Sequence, residues 1–362
     1  MFSCSFCGLL KDYLHVIVME AEICYHIPAL LSETMTGLDI KPDGIYVDVT
    51  FGGGGHSKEI LCHLGETGRL FGFDQDMDAF ANCPDDSRFT FVHSNFRYLK
   101  NFLRYHGVTQ VDGILADLGV SFHHFDDEQR GFSFRFPESA LDMRMSRESD
   151  VDARAVVNTY SEEALARILR LYGDLRNANR IASTIVKARS SRSIETTGDL
   201  MSVVKPLINP RQEKKELSQI FQAFRMEVNH EVDALTEFLS QTLEVLKPGG
   251  RLAIITYHSI EDRMVKNFQK SGNIDGNVEK DFFGRTTALI RPCGKPIVPT
   301  DEEVARNPRS RSAKLRVAER LSELELWQQR AKTKRLIKKR QEWRSFVGNG
   351  SPVADTRRIC HG

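Results

Sequence analysis

Residues 44–57 read GIYVDVTFGGGGHS, and this stretch decides the fold. The first six residues are apolar apart from Asp48, which predicts a short buried strand. Four consecutive glycines follow, and a helical stretch then runs to about Leu64. A glycine-rich turn between a strand and a helix lets backbone amides approach a polar or anionic ligand without side-chain clash. The stretch therefore predicts a ligand-binding turn in an α/β protein.

Strand-like segments recur along the chain at intervals long enough for a helix. This alternation is typical of a parallel sheet, and we predict a Rossmann-like α/β fold. The further predicted strands cover 68–73, 88–92, 111–116 and 251–256, the last after a turn at 247–250. Residues 284–290 and 313–318 are candidates for a closing antiparallel pair.

The alternation stops between the fourth and fifth strands, where helical signals replace strands. Ser161 is placed to cap one apolar helical run, and a single helix is predicted from about 218 to 246. We predict an inserted helical substrate domain, or lid, over 125–217. The discontinuous catalytic domain then covers 21–124 and 218–320. Residues 1–20 are predicted to be a flexible extension, with Met19 as an alternative start, and 321–362 a basic arm.

Charge is distributed unevenly along the chain. The net charge is +1, yet residues 304–345 hold fourteen Lys or Arg and four acids, which gives +10 there and −9 elsewhere. A basic arm favours a nucleic-acid partner, and a solvated helix is the alternative. The seven cysteines are odd in number and lack zinc-site spacing, so we expect free thiols and no metal. No apolar run reaches the ~18 residues that span a bilayer, so we expect a cytoplasmic protein without membrane contact.

Polar or aromatic side chains occur where four successive predicted strands end, which is where such folds bind ligands. Asp48 suits a methionine ammonium group and would repel a pyrophosphate. Asp74 can accept hydrogen bonds from ribose hydroxyls, and Phe96 can stack on adenine. Asp117 then lies beside the reaction centre. The pattern favours S-adenosylmethionine over NAD, although an NAD-dependent oxidoreductase, a helix-capping Asp74 and a core Phe96 remain alternatives.

The chain resembles the bacterial rRNA small-subunit methyltransferase H family, also called MraW. The resemblance implies a class I S-adenosylmethionine-dependent methyltransferase sheet. It also implies methylation of the 4-amino group of a cytidine in the decoding region of 16S rRNA, with the small ribosomal subunit as partner. The matching blocks lie at 26–28, 48–57, 111–121, 130–134, 141–145, 221–231, 257–266 and 307–317.

The resemblance also implies a set of cofactor contacts. Where the family has a glutamine after the fourth strand, this chain has His124, which differs in reach and protonation. The family often has a Cys-x-Cys pair near Cys293, which this chain lacks. The implied contacts are Gly54, Gly55, His56, Asp74, Phe96 and Asp117.

Two acidic residues are candidates for catalysis. We expect Asp117 to accept a proton from the cytosine amine, because this would push electron density back towards nitrogen. Cofactor binding alone is the alternative role. Asp142 is the second candidate, although it could instead form a lid ion pair with Arg144. Further polar candidates are His258, Glu261 and Asp262.

RNA contacts are predicted on a helix face and in the basic arm. Gln222, Arg225 and Asn229 form a polar stripe that could line a substrate cleft, with a solvated face as the alternative. Phe132 and Phe134 are candidates for base stacking or for the core. Phosphate contacts are predicted at Arg309, Arg311, Lys314 and Arg316.

Two other functions fit the same residues, namely methylation of another nucleic acid and a non-catalytic role in small-subunit assembly. The sequence leaves the oligomeric state open, with a dimer among the options.

Overall fold

A computed structural model describes residues 28–119, 127–277 and 288–325. Its centre is a sheet of seven strands in the order β3-β2-β1-β4-β5-β7-β6. The first five strands are parallel, whereas β7 runs antiparallel to both β5 and β6. The strands are β1 (Ile45–Asp48), β2 (Arg69–Asp74), β3 (Phe89–His93), β4 (Val111–Asp117), β5 (Leu246–Thr256), β6 (Ile290–Pro292) and β7 (Lys314–Arg320).

This arrangement confirms the predicted Rossmann-like α/β sheet. The closing antiparallel pair also forms, with β6 at Ile290–Pro292 and β7 at Lys314–Arg320. Residues 278–287, which hold most of the first predicted segment of that pair, lie outside the described ranges. The Lys247–Gly250 segment is not a separate turn, because β5 already begins at Leu246. The extra residues form a bulge opposite β4, where the register shifts between Val111 and Gly113.

Helices cover both faces of the sheet. One hydrophobic cluster joins α1 and α2 to one face, and a second joins α3, α9 and α10 to the other. The helices are α1 (Leu31–Leu38), α2 (Gly55–His63), α3 (Leu99–Tyr105), α4 (Ala153–Thr159), α5 (Glu162–Leu171), α6 (Ala178–Arg189), α7 (Thr197–Val204), α8 (Glu213–Val228), α9 (Glu231–Val245), α10 (Ser259–Ser271) and α11 (Asp301–Arg306).

The segment between β4 and α8 has a hydrophobic cluster of its own. Helices α4 to α8 contribute to it, and Phe132 and Leu141 join it from the preceding loop. Ser161 caps α5 by accepting a hydrogen bond from the amide of Ala164, as predicted. A separate cluster supports the predicted inserted domain, although its limits at 125 and 217 remain predictions.

The single helix predicted from about 218 to 246 is wrong. The chain forms two helices, α8 and α9, because His230 adopts the left-handed conformation with φ of 49°. Such a conformation is costly for a residue with a Cβ, so tertiary contacts must hold it. The Asn229 side chain supplies them, since its Oδ1 accepts from the amide of Met145 at 2.7 Å and its Nδ2 donates to the carbonyl of Met143 at 2.8 Å.

None of the helices in the described part of the chain combines the length and apolar character needed to traverse a bilayer.

Candidate active site

A cavity of about 440 Å³ opens where the parallel strands end. Its floor is formed by the segments that follow β1 to β5, and its opposite wall by the α8–α9 junction and Met145. Carboxyl ends of parallel strands are the expected place for a ligand in this type of sheet. Of the residues predicted to bind a cofactor, the cavity is lined by Gly55, His56, Asp74, Phe96 and Asp117.

The glycine turn gives the cavity one of its walls. Gly54 occupies the N-cap of α2 with φ of 73°, a conformation that glycine adopts without strain. It faces the Phe51 ring, whereas Gly52, Gly53 and Gly55 line the cavity. A Cβ at Gly55 would lie 2.4 Å from the ring of Pro28, so a side chain does not fit there either.

Asp48 holds this turn together from within. Its carboxylate accepts hydrogen bonds from the Ser57 hydroxyl at 2.7 Å and from the amide of Thr50 at 3.1 Å. The side chain is buried, and burial raises its pKa. The expectation that Asp48 meets an ammonium group is therefore not supported, because its oxygens are directed into the turn.

Asp74 ties the glycine turn to the end of β2. Its Oδ2 accepts from the amide of Gly52 at 2.8 Å, and its Oδ1 accepts from the amide of Asp76 at 2.9 Å. Each carboxylate oxygen can accept more than one hydrogen bond. Asp74 therefore shapes the turn and keeps acceptor capacity on the cavity side.

Asp117 is the most unusual carboxylate in the cavity. Within the described residues its Oδ1 is buried without a hydrogen-bond partner, and burial raises its pKa to about 6. The Tyr257 hydroxyl and the backbone amide of Gly119 act in the opposite direction and lower that pKa. Buried acceptors normally have partners, so an unpartnered one beside a cavity marks a place for a ligand donor.

His56 lies close to Asp117 but does not form an ion pair with it. Its Nδ1 is 3.8 Å from Asp117 Oδ2, and its Nε2 is 3.1 Å from the carbonyl of Ala29. Burial lowers the pKa of His56, so the ring is neutral at physiological pH. The Asp117 charge is thus left without a cationic partner from His56.

The α8–α9 junction forms the wall opposite the strands. Gln222, Arg225 and Asn229 all line the cavity, as the predicted polar stripe requires. Each also has an intramolecular partner: Gln222 donates to the carbonyl of Tyr172 at 2.8 Å, and Arg225 holds both oxygens of Glu231 at 2.8 and 2.9 Å. The stripe is therefore a built wall of the cavity, and a freely solvated face is excluded.

Glu231, His258 and Glu261 lie together beside this wall. One ligand-type atom from each falls within 4.8 Å of the others, which would suit a divalent cation. However, Arg225 already neutralises Glu231, and His258 Nε2 is 3.0 Å from a Glu261 oxygen. The group stabilises the end of β5 as it stands, since Glu261 also accepts from the amide of Tyr257 at 3.1 Å.

A protein-family model, the MraW methylase family, matches residues 23–321. The chain belongs to the MraW methylase family. Membership confirms the predictions of a methyltransferase, of a class I methyltransferase sheet and of S-adenosylmethionine as cofactor. Residues 1–22 and 322–362 lie outside the matched range.

Close relatives carry one name, ribosomal RNA small subunit methyltransferase H. The Bacteroides thetaiotaomicron protein is 60% identical over 300 residues, which cover 83% of this chain and 98% of the relative. The Flavobacterium johnsoniae protein is 57% identical over 303 residues, which cover 84% and 100%. A solved rRNA methylase from Streptococcus thermophilus has a TM-score of 0.37 at 11% identity and covers 82% of this chain and 98% of its own.

Other predicted residues of this MraW family member lie farther from the cavity. Asp142 forms a bidentate pair with Arg144, with Nε to Oδ1 at 2.8 Å, which is the predicted lid ion pair. Phe132 is buried in the hydrophobic cluster of the segment between β4 and α8, and Phe134 packs against Phe221. Both therefore belong to the core. His124 lies outside the described residues.

Of the four basic residues predicted to contact phosphate, two lie before β7 and two lie in it. Arg309 lines the cavity, whereas Arg311 is exposed away from it. Lys314 and Arg316 both contact Asp262, at 3.4 and 2.8 Å.

Sequence reasoning missed three residues of the MraW cavity, namely Thr50, Tyr257 and Glu231. The residue type of Thr50 did not mark it as a site residue. Its hydroxyl accepts a hydrogen bond from the amide of Asp117 at 2.6 Å and so joins the end of β1 to β4. Tyr257 directly follows β5, and the rule that marked Asp74 and Asp117 at strand ends would have found it. Glu231 ends the matching block 221–231, but its contact with Arg225 depends on the turn at His230, which the helical spacing did not predict.

Proposed function

We propose that this chain transfers a methyl group from S-adenosylmethionine to the 4-amino group of a cytidine in 16S rRNA, within the small ribosomal subunit. The observation that carries the proposal is the buried, unpartnered Oδ1 of Asp117 at the carboxyl end of β4. An exocyclic amine is a donor that fits this acceptor. The shared name of the close relatives supports rRNA as the substrate class.

The cavity fits a positively charged sulfonium nucleoside. Asp74, Asp117 and Glu261 line it, and Arg225, one of the two arginines in its lining, is paired with Glu231. The glycine turn offers backbone without side chains, and Gly54 fixes that backbone. Asp74 would bind the ribose hydroxyls, Phe96 would pack on the adenine, and Gly55 and His56 would contact the remainder. Bound S-adenosylmethionine supplies an electrophilic methyl group.

Asp117 would act on the nucleophile. A cytosine amine is a poor nucleophile because its lone pair is delocalised into the ring. A carboxylate that accepts a hydrogen bond from the amine returns electron density to the nitrogen and can take its proton. Because Thr50 and Tyr257 fix Asp117 from two sides, the acceptor is held in place before the base arrives.

The target cytidine would have to leave its stack to reach this cavity. Arg309 lies at the cavity wall and Arg311 follows on the exposed side, so both are positioned for phosphates that flank the target. Arg225 and Asn229 would contact the base side of the cleft as parts of its wall. Asp142 is paired with Arg144, so it would stabilise the predicted lid and would not contact the reacting atoms.

The test is methyl transfer from labelled S-adenosylmethionine to small subunits that lack the modification. Naked 16S rRNA and DNA serve as competing substrates. We expect 4-methylcytidine in the subunit rRNA, and Asp117→Asn lowers the single-turnover rate at saturating cofactor on the order of a hundredfold or more. Asp112→Asn is the matched control, because Asp112 lies at the other end of β4 and binds Lys247.

Three results would contradict the proposal. A label found only in DNA would support another nucleic-acid substrate. Cofactor binding without any transfer would support a non-catalytic assembly factor. An unchanged rate in Asp117→Asn would remove the residue from the chemistry.

A further inference from the structure

Helix α10 carries a stripe of cations on its outer side. Arg263, Lys266 and Lys270 follow one another at i, i+3 and i+7 and therefore share a face. All three are exposed, and none forms a salt bridge or side-chain hydrogen bond with the described residues. Like charges on one helix face repel each other, and these three have no acidic partner among the described residues, so a polyanion would stabilise them.

A groove of about 220 Å³ runs beside this stripe. Lys266 and Lys270 form one wall, and Lys295 stands on the other, in the loop that follows β6. Arg316 on β7 completes the lining, and no acidic residue in the described part of the chain joins it. The nearest carboxylate partner, Asp262, is held by Arg316 itself at 2.8 Å.

Gln269 adds a neutral donor to the same groove. The residue is only 3% exposed and lines the groove, yet its Nε2 lacks a hydrogen-bond partner among the described residues. A buried amide without a partner destabilises the fold, because its N–H groups have lost their hydrogen bonds to water. A phosphate oxygen in the groove would be an acceptor for it.

Helix α10 borders both the groove and the active-site cavity. Helix α10 begins directly after His258, and its inner residues Ile260 and Met264 line that cavity. From Arg263 to Lys270 the stripe extends by about 10 Å along the helix axis, away from the cavity. On the other side, β7 starts next to Thr256 at the cavity end of the sheet.

We propose that this groove and the α10 stripe, formed by Arg263, Lys266, Lys270, Lys295 and Gln269, bind phosphates of the RNA strand that flanks the target cytidine. Lysines bind phosphate as point charges and do not distinguish bases. Such a contact would position the RNA strand on the protein without selecting its sequence. The inference rests on the proposed function. It adds a second, outer contact surface to the arginines at the cavity wall.

The test measures binding of cofactor-loaded protein to the small subunit across a series of salt concentrations. In the double variant Lys266→Gln/Lys270→Gln, the slope of log K against log salt decreases by about 1.4, at about 0.7 for each phosphate of a single strand. Affinity at intermediate salt falls roughly tenfold. The methylation rate at saturating subunits stays unchanged, since neither lysine contacts the cavity.

Gln269→Met gives an independent readout. A neutral donor releases no counterion, so this variant weakens binding while the salt slope keeps its wild-type value. The matched control is Lys41→Gln/Lys187→Gln, which removes the same charge from exposed positions before β1 and at the end of α6. We expect wild-type binding for it. Thermal unfolding and cofactor affinity show that all variants are folded.

The outcomes separate the two proposals. If the wild-type protein methylates rRNA but the Lys266→Gln/Lys270→Gln variant keeps the wild-type salt slope, the groove assignment is wrong and the proposed function stands. The groove assignment is also overturned if the variant no longer binds an acidic protein of the small subunit but keeps the wild-type salt dependence of RNA binding. Wild-type protein that does not methylate rRNA contradicts the proposed function instead.

Discussion

Asp117 is the carboxylate to which the proposed function assigns the proton transfer. It is buried, one of its oxygens has no partner among the described residues, and its pKa is raised to about 6 by burial. The Tyr257 hydroxyl interacts with its carboxylate, and the Thr50 hydroxyl accepts a hydrogen bond from its backbone amide at 2.6 Å. A carboxylate of this kind is a weak base that gains a strong hydrogen bond only when a donor enters the cavity.

The first prediction concerns pH. In the proposed mechanism the ionised form of Asp117 accepts the amine proton, so kcat/KM falls as the pH is lowered through the raised pKa of about 6, and it levels off above that value. Methyl transfer measured from about pH 5 to 8 checks this. A bound cation favours the ionised form, so the inflection in kcat lies at lower pH than that in kcat/KM. A flat profile over this range would contradict the assignment.

The second prediction concerns Tyr257. Its hydroxyl donates to Asp117 and lowers that pKa, so Tyr257→Phe raises it further and moves the acid limb of the profile upward by roughly one unit. The same pH series measures the shift. Tyr46→Phe is the control, because Tyr46 contacts the Lys41 amide at the opposite end of the sheet. An acid limb that does not move would show that Tyr257 has no influence on Asp117.

At the scale of the element, the α8–α9 junction connects the lid segment to the sheet. Asn229 bonds to Met143, Met145 and the Arg225 carbonyl, and Arg225 in turn bonds to Glu231. The junction positions the cavity wall through backbone contacts. The shape of the cleft therefore depends on one side chain at a helix end.

The third prediction tests that junction. Asn229→Ala removes three hydrogen bonds and leaves buried backbone groups unpaired, so it lowers the free energy of unfolding by about 3 kcal/mol. Urea unfolding measures the loss. In Asn179→Ala, which removes one exposed contact to Arg170, the loss stays below about 1 kcal/mol. Equal stability of the two variants would contradict the role of Asn229.

Local patterns predicted most of the elements, and tertiary contacts explain the failures. The strands followed from apolar runs, and the turn followed from consecutive glycines, which adopt backbone conformations that other residues avoid. The break at His230 was not predictable, because apolar helical spacing continues from Phe224 through Leu235. Asp48 was misjudged for a similar reason: its partner Ser57 reaches it only after the turn has folded.

At the scale of the whole molecule, we expect the sheet to bind the cofactor and the basic C-terminal arm predicted over 321–362 to bind RNA. The sheet carries the cavity, whereas residues 326–362 contain ten Lys or Arg and two acids. The fourth prediction is that removal of this segment weakens RNA binding and reduces its salt dependence, while cofactor affinity is unchanged. Filter binding over a salt series measures both effects. Binding that is unchanged at every salt concentration would contradict a role for the arm.

Calorimetric titration of the purified protein with S-adenosylmethionine tests whether the strand ends hold the cofactor. We expect one cofactor per chain and an affinity reduced roughly tenfold to a hundredfold in Asp74→Asn, since hydrogen bonds from the ribose are weakened. Asp85→Asn, an exposed change in the loop before β3, keeps the wild-type affinity. Absence of binding by folded protein, or equal affinity of the Asp74→Asn variant and the wild type, would contradict the claim that the strand ends hold the cofactor.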